Sequence, residues 1–276
     1  MLLLLSSCSP GPMDVEPLYF FDSHIHRTTD EEEFLDLAER FEGVAVLGPW
    51  TTIEMPSDTL LPFAFPARDE DGALELSERT IPVLEAQLES GAQGIGELSV
   101  RHPPTINNPS GDDVEADHPI LLEVYELAAE RGVPVNLHFD HSVEHVDELH
   151  AALDHTDAVF IWAHAGDAQP DAVREVMEAH PSLYVDLACR GPHYERGYDF
   201  DAQSIGELDV GLDTDWKSLL EDHGDRFLFG SDIGPEGRNE QLDEVIDYFT
   251  AMFGELDEDT AHAIAHDNAE RLFGVP

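Results

Sequence analysis

The sequence predicts a closed (β/α)₈ TIM barrel, and three observations carry that expectation. Eight short apolar runs recur along the chain, most of them separated by segments of helical spacing. None of the runs alternates polar and apolar residues, so both faces should be covered, as in a parallel sheet wrapped by helices. Polar residues of the kind that bind cations stand at the C-terminal ends of several runs, the face where such a barrel gathers its functional side chains. The competing fold is an open doubly wound sheet. Against it, His26, Arg27 and Thr28 follow the first run where a glycine-rich phosphate loop would be needed.

The first run, residues 19–26, ends in Asp22, Ser23, His24, Ile25 and His26. Alternation along a strand puts His24 and His26 on one face, two imidazoles leaning into one small volume. The pair alone is a weak signal, because 15 histidines in 276 residues yield about one His-x-His by chance. Residues 30–41 repeat Phe34, Leu37, Ala38 and Phe41 at helical spacing behind an acidic first turn. Residues 44–47 and 61–65 are the second and third runs. A helix over 77–90, spaced by Ile81, Leu84 and Leu88, stops at Gly91. The fourth run, 92–96, ends in Glu97.

A helix over 118–131 is closed by Gly132, and the fifth run, 133–137, ends in His138. A helix over 143–153 precedes the sixth run, 158–163, which ends in His164. The next helix, 170–180, carries Pro170 in its first turn. The seventh run spans 183–188. A helix over 215–223 leads to the eighth, 226–230, which passes through Ser231 into Asp232. Helices over 240–253 and 258–273 finish the chain.

Composition narrows the function classes. Asp and Glu number 60 against 13 Lys and Arg, a formal net charge of -47, and Lys217 is the single lysine. Acidic excess with Arg in place of Lys is the surface expected of a protein from a high-salt habitat, where counterions screen self-repulsion. Such a surface repels nucleic acid and anionic lipid. The 42% hydrophobic content indicates a folded chain despite its charge. Two cysteines exclude a disulfide framework. Cys189 lies in an apolar run and reads as a small buried hydrophobe.

Cys8 differs. Met1, four leucines, Ser6, Ser7 and Cys8 resemble the end of a bacterial lipoprotein signal, without its basic segment and longer apolar core. Residues 1–17 are therefore expected to be a truncated signal and tether with a lipid on Cys8. A lipid-anchored protein and a cytoplasmic one both stay open. Residues 18–276 are the single barrel domain, and no run reaches the roughly 20 apolar residues of a spanning helix.

Six ligand-type side chains, His24, His26, Glu97, His138, His164 and Asp232, fall at the ends of runs one, four, five, six and eight. They are expected to converge around one or two divalent ions. Arg101 and Arg190 stand where a guanidinium could hold an anionic substrate group, with ordinary salt bridges as the competing use. His102, His141 and His193 fall in loops of the same face, and residues 103–117 read as a lid. His262 and His266 have i, i+4 spacing without the glutamate of a zinc-protease helix, and read as surface or packing residues.

The segments Asp22-Ser-His-Ile-His26, Gly94-Ile-Gly-Glu97, Pro134-Val-Asn-Leu-His138, Trp162-Ala-His-Ala-Gly166, Phe229-Gly-Ser-Asp232 and Asp267-Asn-Ala-Glu-Arg-Leu-Phe273 resemble, in order and spacing, the amidohydrolase superfamily of metal-dependent barrel hydrolases. The last three look most like its decarboxylase and lactone or amide hydrolase branch. Gly94-Ile-Gly-Glu97 is similar to the TatD-type deoxyribonuclease branch. The resemblance implies a hydrolase of a small-molecule amide, ester, lactone or phosphoester, with a decarboxylase or a TatD-like nuclease as alternatives, and a non-enzymatic metal-binding lipoprotein as the bland reading.

Many members bridge two metals with a carboxylated lysine, whereas here Glu97 holds that position and Lys217 lies in a late helix. The resemblance implies His24, His26 and Asp232 on one ion, His138 and His164 on the other, and Glu97 between. A mononuclear site stays open. Asp232 would also accept a proton and pass it to the leaving group. Zinc suits the donors, with manganese, iron or nickel also compatible.

Overall fold

In the computed structural model, which describes residues 17–27, 31–48, 59–68, 74–104, 111–192, 204–234 and 239–275, eight strands follow one another around a single sheet. They are β1 (Phe21–His26), β2 (Gly43–Leu47), β3 (Leu60–Ala64), β4 (Gly94–His102), β5 (Val135–Phe139), β6 (Phe160–Trp162), β7 (Tyr184–Asp186) and β8 (Phe227–Leu228). Each pairs in parallel with the next. The chain just beyond β8 returns to β1: the Ser23 amide donates to the Phe229 carbonyl at 3.0 Å, Asp232 to His24 at 2.7 Å and His26 to Ile233 at 2.7 Å. Those bonds bring the last strand against the first, so the barrel expected from the alternating runs is present.

Covering both faces of a sheet divides its side chains into two buried layers. Ala45, Leu47, Leu61, Phe63, Ile161 and Leu228 cluster with Phe21 on one face. Phe273, near the C-terminus, stacks on Phe21 with ring centroids 5.5 Å apart and meets Phe63 edge-on at 5.9 Å, plugging the ring where the strands begin. Their neighbours Val44, Val46, Leu60, Ala64 and Phe160 face the other way, into a larger core shared with the helices. Past the plug the inward positions turn polar, with Asn136 and Asp186 fully buried. That change of layer is what places a polar centre at the strands' C-terminal end.

The helices are α1 (Glu31–Ala38), α2 (Thr80–Glu89), α3 (Pro119–Arg131), α4 (Val146–His155), α5 (Pro170–Ala179), α6 (Thr214–His223), α7 (Leu242–Phe253), α8 (Glu258–His262) and α9 (Asn268–Phe273). Local chemistry sets their ends. The α3 start has His118 Nδ1 accepting from the Ile120 amide at 3.2 Å, and its end has Gly132 at φ 68°. At α6, Asp213 accepts from the amides of Asp215 and Trp216.

Several elements differ from the sequence expectation. β4 runs on to His102, and Asp112–Asp113 pairs antiparallel with its extension, so the described part of the expected lid is partly a hairpin. Residues 105–110 of that segment lie outside the described residues, as do His193 and residues 1–16 with Cys8. The sixth strand stops at Trp162, because Ala163–Asp167 forms a tight turn. The expected helix over 258–273 is interrupted by a wider π turn, Ala263–Asp267. Among the described residues no helix is long and apolar enough to cross a membrane.

Candidate metal centre

The six ligand-type side chains meet at one place. His26 Nε2 lies 3.3 Å from His24 Nε2, 3.3 Å from Glu97 Oε2 and 3.2 Å from Asp232 Oδ1. His24 Nε2 lies 3.7 Å from the same glutamate oxygen and 3.8 Å from the same aspartate oxygen. Two donors about 2.0–2.2 Å from a tetrahedral ion stand roughly 3.3–3.6 Å apart, so this spacing fits a shared cation. The other glutamate oxygen, Oε1, faces a second set: His138 Nδ1 at 2.6 Å and His164 Nε2 at 3.0 Å. Glu97 thus stands between two groups of imidazoles with one oxygen turned to each.

Each ligand position has a local cause. Alternation carries Glu97 and His138 inward, since Leu98 and Val100, and likewise Leu137 and Phe139, belong to the outer core. Gly96, at φ 137°, precedes Glu97. A Cβ there would fall 2.5 Å from the Asn136 carbonyl oxygen, so only glycine lets β4 come this close to β5. His164 sits in the turn after β6, where His164, Ala165 and Gly166 have φ of 57°, 49° and 59°. A left-handed histidine is costly. Asp186 holds it, taking the His164 amide on Oδ1 at 2.8 Å. Asp232, at φ 50°, is held by the hydrogen bond its own amide donates to the His24 carbonyl.

Around the six stands a set of supports that sequence reasoning did not find. Asp186 Oδ2 is 3.0 Å from His24 Nδ1, which leaves Nε2 to face the centre. Asn136 donates to the same oxygen at 3.2 Å. His164 Nδ1 is 3.1 Å from the Ala188 carbonyl. His138 Nε2 is 3.0 Å from Asp140 Oδ1, and the other oxygen of Asp140 is 2.9 Å from His102 Nδ1. Cys189 is buried as expected, yet its Sγ is 2.6 Å from Asp232 Oδ2, a polar contact its apolar run did not announce. Asp186 lies inside the seventh run, where it ends β7, and Asp140 lies two residues past His138. Their nearness to the ligand positions was the available signal.

The electrostatics follow from crowding carboxylates into a buried space. Burial alone would raise Glu97, but the imidazoles of His138 and His24 and the hydrogen bonds from His138 and His164 hold it well below the usual carboxylate range. Burial alone would lower His138, yet Glu97 and Asp140 push it up to about 10. His24 rises well above its ordinary value against the same desolvation, through Asp186 and Glu97. His26 rises against desolvation through Asp232 and Glu97. The carboxylates therefore demand positive charge in this volume, a demand that a divalent cation on neutral imidazoles would meet.

The two arginines are placed differently from the six. Arg101 lines a cavity of about 410 Å³ beside the centre with His102, Asp140, His141 and His145. Its Nε and Nη2 donate to Glu148 at 2.9 and 2.8 Å, and Nη1 pairs with Asp113. Arg190 is fully buried, donates from Nη2 to the Ala168 carbonyl at 2.9 Å and lies over the Trp216 ring at 4.7 Å. His266 pairs with Asp267 and Glu270 on the surface.

The model of the amidohydrolase family matches residues 49–275. Among curated proteins there is no sequence match. Solved structures share the fold at low identity. A dihydroorotase from Campylobacter jejuni is 13% identical with a TM-score of 0.61, over 94% of this chain and 84% of that one. An amidohydrolase from Burkholderia multivorans with bound zinc is 13% identical with a TM-score of 0.58, over 94% and 100%. A 2,6-dihydroxybenzoate decarboxylase from Rhizobium is 13% identical with a TM-score of 0.55, over 93% and 98%.

Proposed function

Because the chain belongs to the amidohydrolase family, we propose that it hydrolyses a small-molecule amide, ester, lactone or phosphoester with the help of two divalent ions, zinc in the first instance. The observation that carries the reading is the division of labour at Glu97. Its Oε2 faces His26 and, further off, His24, both beside Asp232, while its Oε1 faces His138 and His164. His24, His26 and Asp232 would hold one ion, His138 and His164 the other, with Glu97 shared. Four imidazoles with carboxylates suit zinc. Bound there, the ions supply Lewis acidity, which lowers the pKa of water toward neutrality and polarises the scissile bond.

The chain's own residues do the rest. Asp232 presents Oδ1 to the His24–His26 side, while its Oδ2 lies against the Cys189 thiol. It is the proposed general base, taking a proton from the attacking water and returning it to the leaving group. Asp186 keeps His24 turned with Nε2 toward the centre. The tight backbone tie between Asp232 and His24 keeps the base in register with β1.

The test is a screen of lactone, ester, amide and phosphoester substrates with Asp232→Asn as control. The expected result is turnover by the wild type and a loss of about 10²-fold or more in the variant. Turnover that survives the substitution would remove Asp232 from the chemistry. Decarboxylation is the second reading, favoured by the shared fold of the Rhizobium decarboxylase. Release of carbon dioxide from an aromatic acid, with no hydrolysis in the screen, would select it.

A further inference from the structure

We propose that Asp140, itself held by His102, is the positioning residue of His138, and that this pair sets how tightly the His138–His164 half of the centre holds its ion. The inference rests on the two-ion reading of the centre. It begins with an asymmetry among the imidazoles. His24, His26 and His164 all present Nε2 to the centre, whereas His138 presents Nδ1. A neutral imidazole offers one lone pair and one N–H, and whichever nitrogen donates a hydrogen bond leaves the other to bind a cation. With an ion between Nδ1 and Glu97, Asp140 would settle that choice for His138, because its Oδ1 lies 3.0 Å from Nε2 and a carboxylate can only accept.

Asp140 is itself fixed. Its Oδ2 is 2.9 Å from His102 Nδ1, so both carboxylate oxygens are engaged at once. The His102 ring lies against His138 with centroids 4.3 Å apart, which limits rotation of the imidazole it serves. The side chains of His102, His138 and Asp140 are 10%, 8% and 11% exposed, so the hydrogen bonds run between largely buried groups, where they hold direction well.

The His24 and His138 imidazoles therefore lean on different carboxylates. Asp186, fully buried in mid-barrel, serves His24, and its carboxylate also holds the His164 backbone. Asp140 serves His138 and lines the cavity shared with Arg101 and His145. Losing Asp140 should loosen one ion and spare the other. A carboxylate behind a ligating histidine typically contributes 10–100-fold to metal affinity.

The experiment titrates metal-free protein with cobalt(II), followed by visible absorption and by competition with zinc, for the wild type, Asp140→Asn, Asp140→Glu and His102→Asn. The expected wild type takes up two equivalents. D140N should bind the first as the wild type does and the second about 10–100-fold more weakly, with a changed cobalt spectrum for that equivalent. D140E, which keeps a carboxylate, should recover part of the loss. H102N should shift the second equivalent in the same direction by less.

A D140N protein that binds its second equivalent as tightly as the wild type overturns the proposal. So does equal weakening of both equivalents. Should D140N not fold, H102N decides: a second equivalent left at wild-type affinity overturns the proposal, and one selectively weakened supports it. A wild type that takes up a single equivalent overturns the two-ion reading alone if D140N weakens that equivalent, and both ideas if it does not.

Discussion

Arg101 shows how a single side chain's partners decide its use. Two of its nitrogens grip the Glu148 carboxylate and the third pairs with Asp113, so three hydrogen-bonding positions of the guanidinium meet carboxylates on α4 and on the Asp112–Asp113 strand. Those bonds in turn hold Glu148 below the usual carboxylate range. Replacing Arg101 with Gln leaves the half-buried Glu148 carboxylate to His145 and the Ala116 amide, at a cost of about 1–2 kcal/mol for a partly exposed pair. Thermal unfolding should then fall by about 2–4 °C while KM for a substrate found in the screen stays within about threefold. A KM raised many-fold with unchanged melting would return Arg101 to the anion-holding role that its place on the strand suggests. The same logic explains what was legible at this scale. Histidines and carboxylates at the ends of apolar runs stand out from their neighbours, so the six that converge could be read directly. Asp186 and Asp140 could not, because their importance lies in which imidazole nitrogen they occupy, and a linear sequence does not contain that angle.

Elements add constraints that no one residue shows. The start of α9 is tied to β8 by Asn268, a fully buried side chain whose amide donates to the carbonyls of Gly224 and Phe227, each at 2.7 Å. Its own carbonyl oxygen accepts from Arg271 at 2.8 Å. Asn268→Ala leaves two carbonyls of the β8 approach without that donor, a loss of about 2 kcal/mol, or about 3–4 °C in melting temperature. Asn268→Asp should cost at least as much at neutral pH, because a carboxylate would face the same two carbonyls. A smaller loss for the aspartate would show that the amide donor is not what anchors α9. Apolar runs alternating with helical segments announced the eight strands, and Gly132 announced the end of α3. The π turn at Ala263–Asp267 and the left-handed turn at His164–Gly166 were not legible, since both arise where a nearby strand fixes the backbone: the Phe229 amide donates to Ile264, and Asp186 holds the His164 amide.

At the scale of the whole molecule the dominant fact is charge. A formal -47 spread over one barrel repels itself, while the cations available for pairing number only 13. Surface pairs such as Arg40–Asp243 and Arg174–Asp222 are each worth about 0–1 kcal/mol and weaken with salt. Salt weakens the far more numerous like-charge contacts as well, since the screening length drops from about 10 Å at 0.1 M to about 3 Å at 1 M. With 60 acidic groups against 13 basic ones, the relief of repulsion should win. The melting temperature should therefore rise steadily from 0.1 to 1 M potassium chloride, measured with zinc at saturation so that a change in ion occupancy does not contribute. The carboxylates of the centre are buried and screened little, so adding a chelator should lower the melting temperature at every salt concentration by an amount that depends weakly on salt. A melting temperature that falls as potassium chloride rises would mean that the few ion pairs outweigh the repulsion. The acidic surface would then have to be explained by something other than screening.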